Sequence, residues 1–545
     1  MIKKIFIILC VLIPFSSYGS GIFFKLEEAL DHIDTSVYYY GKFNNILYFL
    51  KFEETGSNGA KGFYFDAEKK LYADKKEFEI KKTSKKLYFY TENKEYELKS
   101  RIQFSPDSIF GEYAVKEKSF LFFKKFKWKD PVSLKKYSPP EFKEFPDRYK
   151  TKIFDDLLIK KDIIYGKVRG YWDSYIPEND DYLSILQKGI SSSIMGKNLL
   201  LKMDIYMPEE DTSGIYRPFI MFIHGGGFYI GDKQEESMVE FCKYFSSLGY
   251  ITASINYRLG FKPSGLSLER AGYRALQDAH AAMRYIVENS NSLKIDTSLL
   301  FVAGPSAGAI TALNLAFMNN ESRPECSYGS LFYRNLGNIN SSTNNIKADF
   351  QIKAVASMWG AVYSLDILHN SRTAIISFHS NGDKIVPIDH NYPFRDIKGN
   401  LTSYILNKVY GSALIHQKAQ EIGLREELHK YEVEKHTIYT DENDNINEEF
   451  NIISENIRDF FHEEMIYDQC SIISIPKLPY KAAMMKYQTS NHNYKELYWK
   501  IEGGLILSTE KNSVNVIWFK DANIHKLTLS GFYKGGARLY NEYEF

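Results

Sequence analysis

The chain has 545 residues, which is too long for one hydrophobic core and predicts two or three domains. Hydrophobic residues make up 44% and charged residues 25%, an ordinary globular composition. The formal net charge is +1 at pH 7, so the charge balance gives no indication of a nucleic-acid partner.

Residues 1–19 have the pattern of a secretory signal peptide. Lys3 and Lys4 give the positive start, Ile5 to Phe15 give an apolar run, and Ser17 to Gly19 place small residues before a cleavage site. The run is too short to cross a bilayer of ~30 Å as a helix. We expect a secreted, periplasmic or cell-surface protein without a transmembrane segment after signal removal; the alternative is an uncleaved anchor.

Three cysteines remain after signal removal: Cys242, Cys326 and Cys470. They allow at most one intramolecular disulfide, so we expect no disulfide framework, and whether any pair is bonded stays open. No Cys-x-x-Cys or His-Glu-x-x-His spacing occurs, so the sequence predicts neither a metal site nor a cofactor.

Residues 20–130 predict an N-terminal all-β domain. Short aromatic runs such as Ile46 to Leu50 and Leu87 to Tyr90 alternate with charged and turn-forming residues, a pattern typical of short antiparallel strands. We expect the aromatic side chains to form a core; the alternative is that some contact glycans or a cell surface. Residues 131–150, with adjacent Pro139 and Pro140, predict a linker.

Residues 151–468 predict an α/β domain with a mostly parallel sheet and helices on both faces, because strand-like and helical segments alternate. The predicted strands are Leu199–Tyr206, Phe219–Ile223, Tyr250–Tyr257, Leu299–Ala303, Ile352–Met358, Ala374–Phe378 and Lys430–Glu434. The predicted helices are Lys233–Leu248, Leu268–Glu288, Ala309–Phe317 and Ile446–Phe461. Such a sheet binds ligands at the carboxyl ends of its strands.

A turn of small residues, G-P-S-A-G at 304–308, joins one of these strands to the following helix. Small residues let the strand and the helix approach closely, and Ser306 stands at the apex. Its hydroxyl would lie near the helix N-terminus, where the helix dipole favours negative charge. This is a suitable place for a nucleophile whose attack creates an oxyanion.

A glycine loop, His224 to Phe228, follows another predicted strand. Two of its backbone N–H groups, with that of Ala307, would bind the oxyanion of a tetrahedral intermediate. The motifs H-G-G-G-F-Y-I-G (224–231), N-Y-R-L-G (256–260) and G-P-S-A-G (304–308) resemble the carboxylesterases of the α/β-hydrolase fold, in a secreted bacterial form with flanking β domains. The resemblance covers roughly residues 152–466 and implies an oxyanion hole formed by Gly226, Gly227 and Ala307.

A serine nucleophile needs a histidine base and a carboxylate, in the chain order serine, acid, histidine for this fold. Asp383 follows the strand Ala374–Phe378 and is the predicted acid, with Asp389 as the alternative. His436 follows the last predicted strand and is the predicted base. The weaker candidates lie beside the acid, on helices or at the wrong end of that strand: His379, His416, His429 and His462.

Phe228 and Trp359 follow strand ends and are candidates for the acyl pocket, with an ordinary core position as the alternative. The long connections Ser322–Asn345 and Asn391–Tyr410 are expected to form a lid and to set substrate choice. Three other polar residues are expected to brace loops or to satisfy buried groups: His224, Arg258 and Asp278.

Residues 473–545 predict a C-terminal β domain. The pattern W-x-x-x-G-G followed by V-x-V-x-W, from Trp499 to Trp518, resembles the immunoglobulin-like repeats of secreted bacterial proteins and implies spacing, adhesion or docking. The whole chain thus predicts a secreted serine hydrolase for a small-molecule or carbohydrate-linked carboxylic ester. The alternatives are a serine peptidase on the same fold and an adhesion protein with an inactive hydrolase core.

Overall fold

The computed structural model describes most of the α/β region and the strands that flank it. The described residues are 38–43, 46–56, 59–66, 76–82, 87–91, 94–105, 108–117, 127–128, 132–176, 196–209, 211, 215–262, 264–331, 333–368, 372–395, 406–466, 472–475, 484–490, 494–519, 522–533 and 535–544. They fall into two compact units, one within 146–468 and 533–538, the other within 1–145, 469–532 and 539–545. The predicted signal peptide and Cys470 lie outside the described residues.

The N-terminal region forms a nine-stranded antiparallel sheet, in the order β6-β5-β4-β3-β2-β1-β9-β7-β8, and a pairing of β6 with β7 closes it on itself. This agrees with the all-β prediction. The strands are β1 (Tyr38–Phe43), β2 (Ile46–Gly56), β3 (Gly59–Asp66), β4 (Lys76–Lys82), β5 (Leu87–Thr91), β6 (Lys94–Ser105), β7 (Ser108–Glu117), β8 (Lys127–Trp128) and β9 (Val132–Lys136).

The larger unit alternates strands and helices, as the sequence predicts. Its strands are β10 (Leu157–Gly170), β11 (Lys197–Pro208), β12 (Arg217–Ile223), β13 (Ile251–Ile255), β14 (Ile295–Pro305), β15 (Ala354–Met358), β16 (Ala361–Val362), β17 (Ala374–Ser380), β18 (His390–Asn391), β19 (Val409–Gly411) and β20 (Glu426–Tyr431). Its helices are α1 (Glu236–Ser247), α2 (Gly265–Glu288), α3 (Ser290–Leu293), α4 (Ala307–Phe317), α5 (Ser412–Glu421) and α6 (Glu448–Met465), with 3₁₀ turns at Glu325–Ser327 and Leu365–Leu368.

The main sheet has eight strands in the order β10-β11-β13-β12-β14-β15-β17-β20. The pairings β10–β11 and β11–β13 are antiparallel, and the remaining pairings are parallel. This is the α/β-hydrolase fold, so the predicted fold class is confirmed. All residues of β12, β13, β15 and β17 are buried, which explains why these strands read as continuous apolar runs.

Two strands of this sheet differ from the prediction. The last strand is Glu426–Tyr431 rather than Lys430–Glu434, so the chain has left the sheet five residues before His436. The first strand, Leu157–Gly170, is absent from the prediction because two register shifts, at Lys160/Ile163 and Ile164/Gly166, interrupt its period of two.

A second, three-stranded antiparallel sheet, β16-β19-β18, is formed by connections that leave the main sheet. Its Ala361 and Val409 pack with Val386, and Ile310 from the first turn of α4 packs against this group. The small sheet therefore lies beside the start of the helix that follows Ser306.

The C-terminal strands form a four-stranded sheet, β21-β22-β25-β24, and a three-stranded sheet, β23-β26-β27. The two tryptophans of the predicted pattern, Trp499 and Trp518, are both buried. The strands are β21 (Ile472–Ile475), β22 (Met484–Thr489), β23 (Tyr494–Glu502), β24 (Gly504–Glu510), β25 (Ser513–Trp518), β26 (Lys526–Tyr533) and β27 (Arg538–Glu544). The division of the flanking β segments into two separate domains stays a prediction.

Three further findings concern the described part of the chain. None of its helices is long and apolar enough to span a membrane. Within the same residues, no three His, Cys, Asp or Glu side chains gather as metal ligands would. Cys242 and Cys326 are both buried free thiols.

Candidate active site

Ser306 occupies the sharp turn between β14 and α4. Its backbone has φ 52° and ψ −120°, a strained conformation for a residue with a side chain. The N–H of Ser306 donates to the carbonyl of Met358 at the end of the neighbouring strand, at 2.8 Å. The hydroxyl is therefore held at the carboxyl edge of the sheet, at the start of a helix.

The glycines on either side of Ser306 are required by the backbone of β12. A Cβ atom on Gly308 would lie 1.9 Å from the carbonyl oxygen of Ile223, and one on Gly304 would lie 2.4 Å from the same atom. Both distances are far shorter than a van der Waals contact. The close approach brings the turn against the glycine loop, where a Cβ on Gly225 would lie 3.5 Å from the Cβ of Ser306.

The glycine loop turns through three consecutive residues with positive φ: Gly226 at 88°, Gly227 at 58° and Phe228 at 63°. The N–H groups of Tyr229 and Ile230 both donate to the Gly226 carbonyl, at 3.0 Å, which closes the turn. Within the described residues, the N–H groups of Gly226, Gly227 and Ala307 donate to no protein acceptor. Three backbone donors close to a serine can stabilise an oxyanion.

The side chain of Tyr257 supports the glycine loop. The Tyr257 hydroxyl lies 3.0 Å from the carbonyl oxygens of both His224 and Gly225 and donates to them. The imidazole of His224 stacks on the Tyr257 ring, with 4.4 Å between centroids. Burial lowers the pKa of His224, so its ring is neutral and braces the loop, in agreement with its predicted role.

His436 links the serine to a carboxylate. Its Nε2 lies 2.9 Å from Ser306 Oγ, and its Nδ1 lies 2.7 Å from Asp383 Oδ2. The three predicted side chains thus come from three separate connections and meet in one line of hydrogen bonds. Such a line can move a proton from the hydroxyl to the imidazole while the carboxylate keeps the ring oriented.

The connections that carry the acid and the histidine are tied together before they reach the site. The N–H groups of Asn381 and Gly382 donate to the carbonyls of Tyr431, at 2.9 Å, and Val433, at 3.1 Å. A Cβ on Gly382 would lie 2.7 Å from the Cα of Glu434, so this position also needs a glycine. This pairing continues past the end of β20 and explains how His436 reaches the site from a loop.

The Asp383 carboxylate is buried and accepts several hydrogen bonds. Its Oδ1 accepts from the N–H groups of Ile385, at 2.8 Å, and Val386, at 3.0 Å. Burial by itself raises the pKa of this carboxyl, but hydrogen bonds from His379 and His436 outweigh burial and lower the pKa to about 2. Asp383 is therefore ionised at neutral pH.

Two residues of the acid loop were not singled out by the sequence. The Arg395 guanidinium donates to the Asp383 carbonyl at 2.7 Å. The ring of its neighbour Phe394 lies 3.9 Å from the position of a Cβ on Gly227, so this aromatic side chain closes one side of the glycine loop. Both belong to the connection predicted as a lid, of which residues 396–405 lie outside the described part of the chain.

The alternative acid and three of the four other candidate histidines are not part of this line of hydrogen bonds. Asp389 is exposed. His429 stacks on Phe378 with 4.8 Å between ring centroids, and its Nε2 lies 2.7 Å from Glu427. Two further histidines are buried in helices, His416 beside Glu426 and His462 in α6. His379 differs from these three because it lies beside Asp383, with 3.5 Å between Nε2 and Oδ2.

The two candidates for the acyl pocket are both buried. Phe228 packs beside Gly272 of α2, where a Cβ would lie 3.5 Å from its ring. Trp359 is 0% exposed, and its ring meets that of His436 edge-on, with 6.2 Å between centroids. Trp359 therefore packs against the imidazole of His436. A role for Phe228 or Trp359 in substrate binding stays a prediction.

The connection 322–345 is fastened along α2. Arg270 donates to the carbonyls of Cys326 and Arg334, and Gln277 donates to those of Leu336 and Asn338. This part of the predicted lid is held to the domain surface by side chains of one helix.

Asp278, on the same helix, satisfies buried groups of Arg258, as predicted. Its carboxylate accepts from the backbone N–H of Arg258 at 2.9 Å and from the Arg258 guanidinium at 2.8 Å.

The BD-FAE family model matches residues 203–386, which include the glycine loop, Ser306 and Asp383 but not His436. Esterase E4 of Myzus persicae is 31% identical over 152 residues, 27% of this chain and 26% of that protein. Gut esterase 1 of Caenorhabditis elegans is 34% identical over 127 residues, 23% of this chain and 22% of that protein. The chain thus spans about a quarter of the length of these curated relatives.

Among solved structures, the apo form of Thermogutta terrifontis esterase 2 is similar at 18% sequence identity, with a TM-score of 0.34. The similarity covers 49% of this chain and 90% of that chain. The structure of the same esterase with bound butyrate is 19% identical, with the same TM-score and coverage.

Proposed function

We propose that this protein is a serine hydrolase that cleaves carboxylic esters through an acyl-enzyme intermediate. The observation that carries the proposal is the position of His436, 2.9 Å from Ser306 Oγ and 2.7 Å from Asp383 Oδ2. The partial matches to esterases support ester hydrolysis as the class of reaction.

In the first step Ser306 Oγ attacks the acyl carbon of the ester, and its proton passes to His436 Nε2. The imidazole becomes positively charged, and the ionised Asp383 stabilises that charge through the hydrogen bond to Nδ1. Because the pKa of Asp383 is lowered to about 2, the carboxylate keeps its charge throughout the step.

The carbonyl oxygen of the substrate becomes an oxyanion in this step. The N–H groups of Gly226, Gly227 and Ala307, which have no acceptor in the described part of the chain, are the donors that would receive it. Loss of one such donor typically costs about 100- to 1,000-fold in rate. The donors are part of the backbone, so the positive φ angles of the loop are what directs them.

The tetrahedral intermediate then collapses, and the bond between the acyl carbon and the alcohol oxygen breaks. His436 gives its proton to the leaving alcohol, and the acyl group stays on Ser306. A water molecule attacks the acyl-enzyme by the same route, with His436 as base, and releases the carboxylic acid.

Two further observations bear on the substrate and on the location of the protein. The Phe394 ring lies 3.9 Å from the position of a Cβ on Gly227, so a substrate bound at the glycine loop would have this ring as a neighbour. The pattern of residues 1–19 supports export of the protein, and its substrate would then be an extracellular small-molecule or carbohydrate-linked ester.

The mature protein should be labelled by a fluorophosphonate probe and should hydrolyse a chromogenic acyl-ester series. In Ser306→Ala both signals should be lost, with kcat lower by roughly 10⁵- to 10⁶-fold. Ser254→Ala is the control, because it also replaces a serine by alanine but removes a buried hydroxyl that has no partner within the described residues. It should keep both signals.

A parallel panel of aminoacyl amides separates an esterase from a peptidase. The proposal predicts a higher kcat/KM for the ester than for the amide of the same acyl group. Turnover of amides alone would replace the esterase by a peptidase on the same fold. If the wild-type protein shows neither labelling nor turnover, the proposal is wrong and the alternative of an adhesion protein with an inactive hydrolase core is favoured.

A further inference from the structure

His379 is a second imidazole at the carboxylate of Asp383. It is the penultimate residue of β17 and is 0% exposed. Its Nε2 lies 2.9 Å from the carbonyl oxygen of Val386 and 3.5 Å from Asp383 Oδ2, the oxygen that also faces His436. The mechanism proposed above does not use this residue.

The neighbours of His379 determine which nitrogen carries the proton. A carbonyl and an ionised carboxylate only accept hydrogen bonds, so Nε2 must be protonated. The other nitrogen, Nδ1, lies 2.8 Å from the Ser412 hydroxyl, which can donate to it. Ser412 thus holds the ring in the orientation that directs the Nε2 N–H group at Val386 and Asp383.

The same contacts join the acid loop to the start of α5. Val386, whose carbonyl accepts from His379, donates its own N–H to Asp383 Oδ1. The N–H groups of Gly411 and Ala413 donate to the carbonyls of Asp389 and Ile388, at 2.9 and 3.0 Å. The loop that carries the acid is therefore closed on both sides, by His379 at one end and by the first residues of the helix at the other.

We propose that His379, oriented by Ser412, is a positioning residue that holds the Asp383 carboxylate in line with His436. This inference rests on the proposed function, because it assigns a role in the same site. It assigns no step of the reaction to His379, which acts only through the acid. Without it the carboxylate keeps its backbone donors but loses the imidazole nitrogen that lies 3.5 Å from Oδ2.

Three variants test the proposal. His379→Leu removes the contacts with Val386, Asp383 and Ser412. In this variant kcat on a short acyl ester should fall by about 10- to 100-fold with KM changed less than about 3-fold, because a displaced acid misorients the base. His379→Gln keeps an N–H donor at the distance of Nε2 and should recover kcat to within about 3-fold of the wild type. Ser412→Ala should give an intermediate loss.

Two matched controls separate this role from a general loss of stability. His416→Leu removes another buried histidine with a hydrogen-bonded partner, Glu426, and should lower the melting temperature without lowering kcat. Ser377→Ala removes a buried hydroxyl without a described partner, on the same strand and face as His379. It should change neither quantity.

A measurement independent of turnover distinguishes this inference from the proposed function. The N–H proton between His436 and Asp383 should give a downfield proton resonance that His379→Leu loses and His379→Gln keeps. If the resonance changes in this way but the wild-type protein has no esterase activity, the positioning role is supported and the proposed esterase function is rejected. An unchanged kcat and resonance in His379→Leu, or equal losses in the Leu and Gln variants, would overturn the inference.

Discussion

The serine half and the histidine half of the site are held in place by different forces. Around Ser306 and the glycine loop, backbone atoms approach so closely that only glycine fits at positions 304 and 308. Around Asp383 and His436, side-chain and backbone hydrogen bonds between loops fix the geometry. The first half is shaped mainly by excluded volume, and the second half by polar contacts that depend on one another.

The difference predicts how each half should fail. Where backbone atoms are already in contact, there is no room for an added methyl group, so such a substitution should disturb the fold as well as the chemistry. A hydrogen-bonded network can lose one partner and keep its overall shape, so it should lose activity before stability. Substitutions in the two halves test this comparison.

Gly308→Ala should have the largest effect, because the new Cβ would lie 1.9 Å from the carbonyl oxygen of Ile223. We expect a loss of soluble protein and no labelling by a fluorophosphonate probe in what remains. Gly272→Ala is the control, since its Cβ would make an ordinary contact of 3.5 Å inside α2. That variant should be as stable as the wild type or more stable by up to about 1 kcal/mol. Normal labelling of Gly308→Ala would show that the steric argument is wrong.

Asp383→Asn should have the next largest effect and should leave the fold intact. The amide cannot stabilise a charged imidazole, so kcat should fall by about 1,000- to 10,000-fold. Asp389→Asn, an exposed position in the same connection, should keep full activity in the same ester assay. Equal losses in the two variants would contradict the assignment of the acid.

The contribution of Asp383 to the free energy of unfolding should depend on pH. The folded-state pKa of Asp383, about 2, lies below its ordinary value of 3.8, so the ionised carboxylate stabilises the folded state above about pH 4. This contribution, about 2 kcal/mol by the size of the shift, is lost as the pH falls toward 2. Urea unfolding should therefore show a gap between wild type and Asp383→Asn at pH 7 that narrows below about pH 4. A gap independent of pH would contradict this interpretation.

The comparison also explains how much the sequence could predict. Excluded volume selects glycine at fixed spacings, so the turn at Ser306 and the loop at Gly226 and Gly227 are visible in the sequence. The main strands are visible because they are buried on both faces. Asp383 and His436 were predicted from chain order and position near strand ends, and the structure brings them to Ser306.

Other parts of the site leave no local pattern. His379 and Ser412 meet across 33 residues, and neither has a neighbour in sequence that indicates the other. Phe394 reaches Gly227 from a connection that has little secondary structure. Apolar and polar residues continue to alternate beyond Tyr431, although the strand β20 ends there. Within the described residues β20 is the edge strand of the main sheet, next to β17. Contacts that depend on three-dimensional proximity must be read from the structure.

Tyr257→Phe should have the smallest effect. It sharpens the comparison because the Tyr257 hydroxyl is a polar contact within the serine half, which is shaped mainly by excluded volume. The change keeps the ring that stacks on His224 and removes the donor to two buried carbonyls, which should cost about 1–2 kcal/mol of unfolding free energy. If the hydroxyl also sets the direction of the loop, kcat should fall by about 10-fold with KM little changed, since the oxyanion donors act in the transition state. Urea unfolding and ester kinetics on one preparation measure both quantities. A stability loss with unchanged kcat would show that the glycines alone direct the loop, and that the serine half needs no polar support.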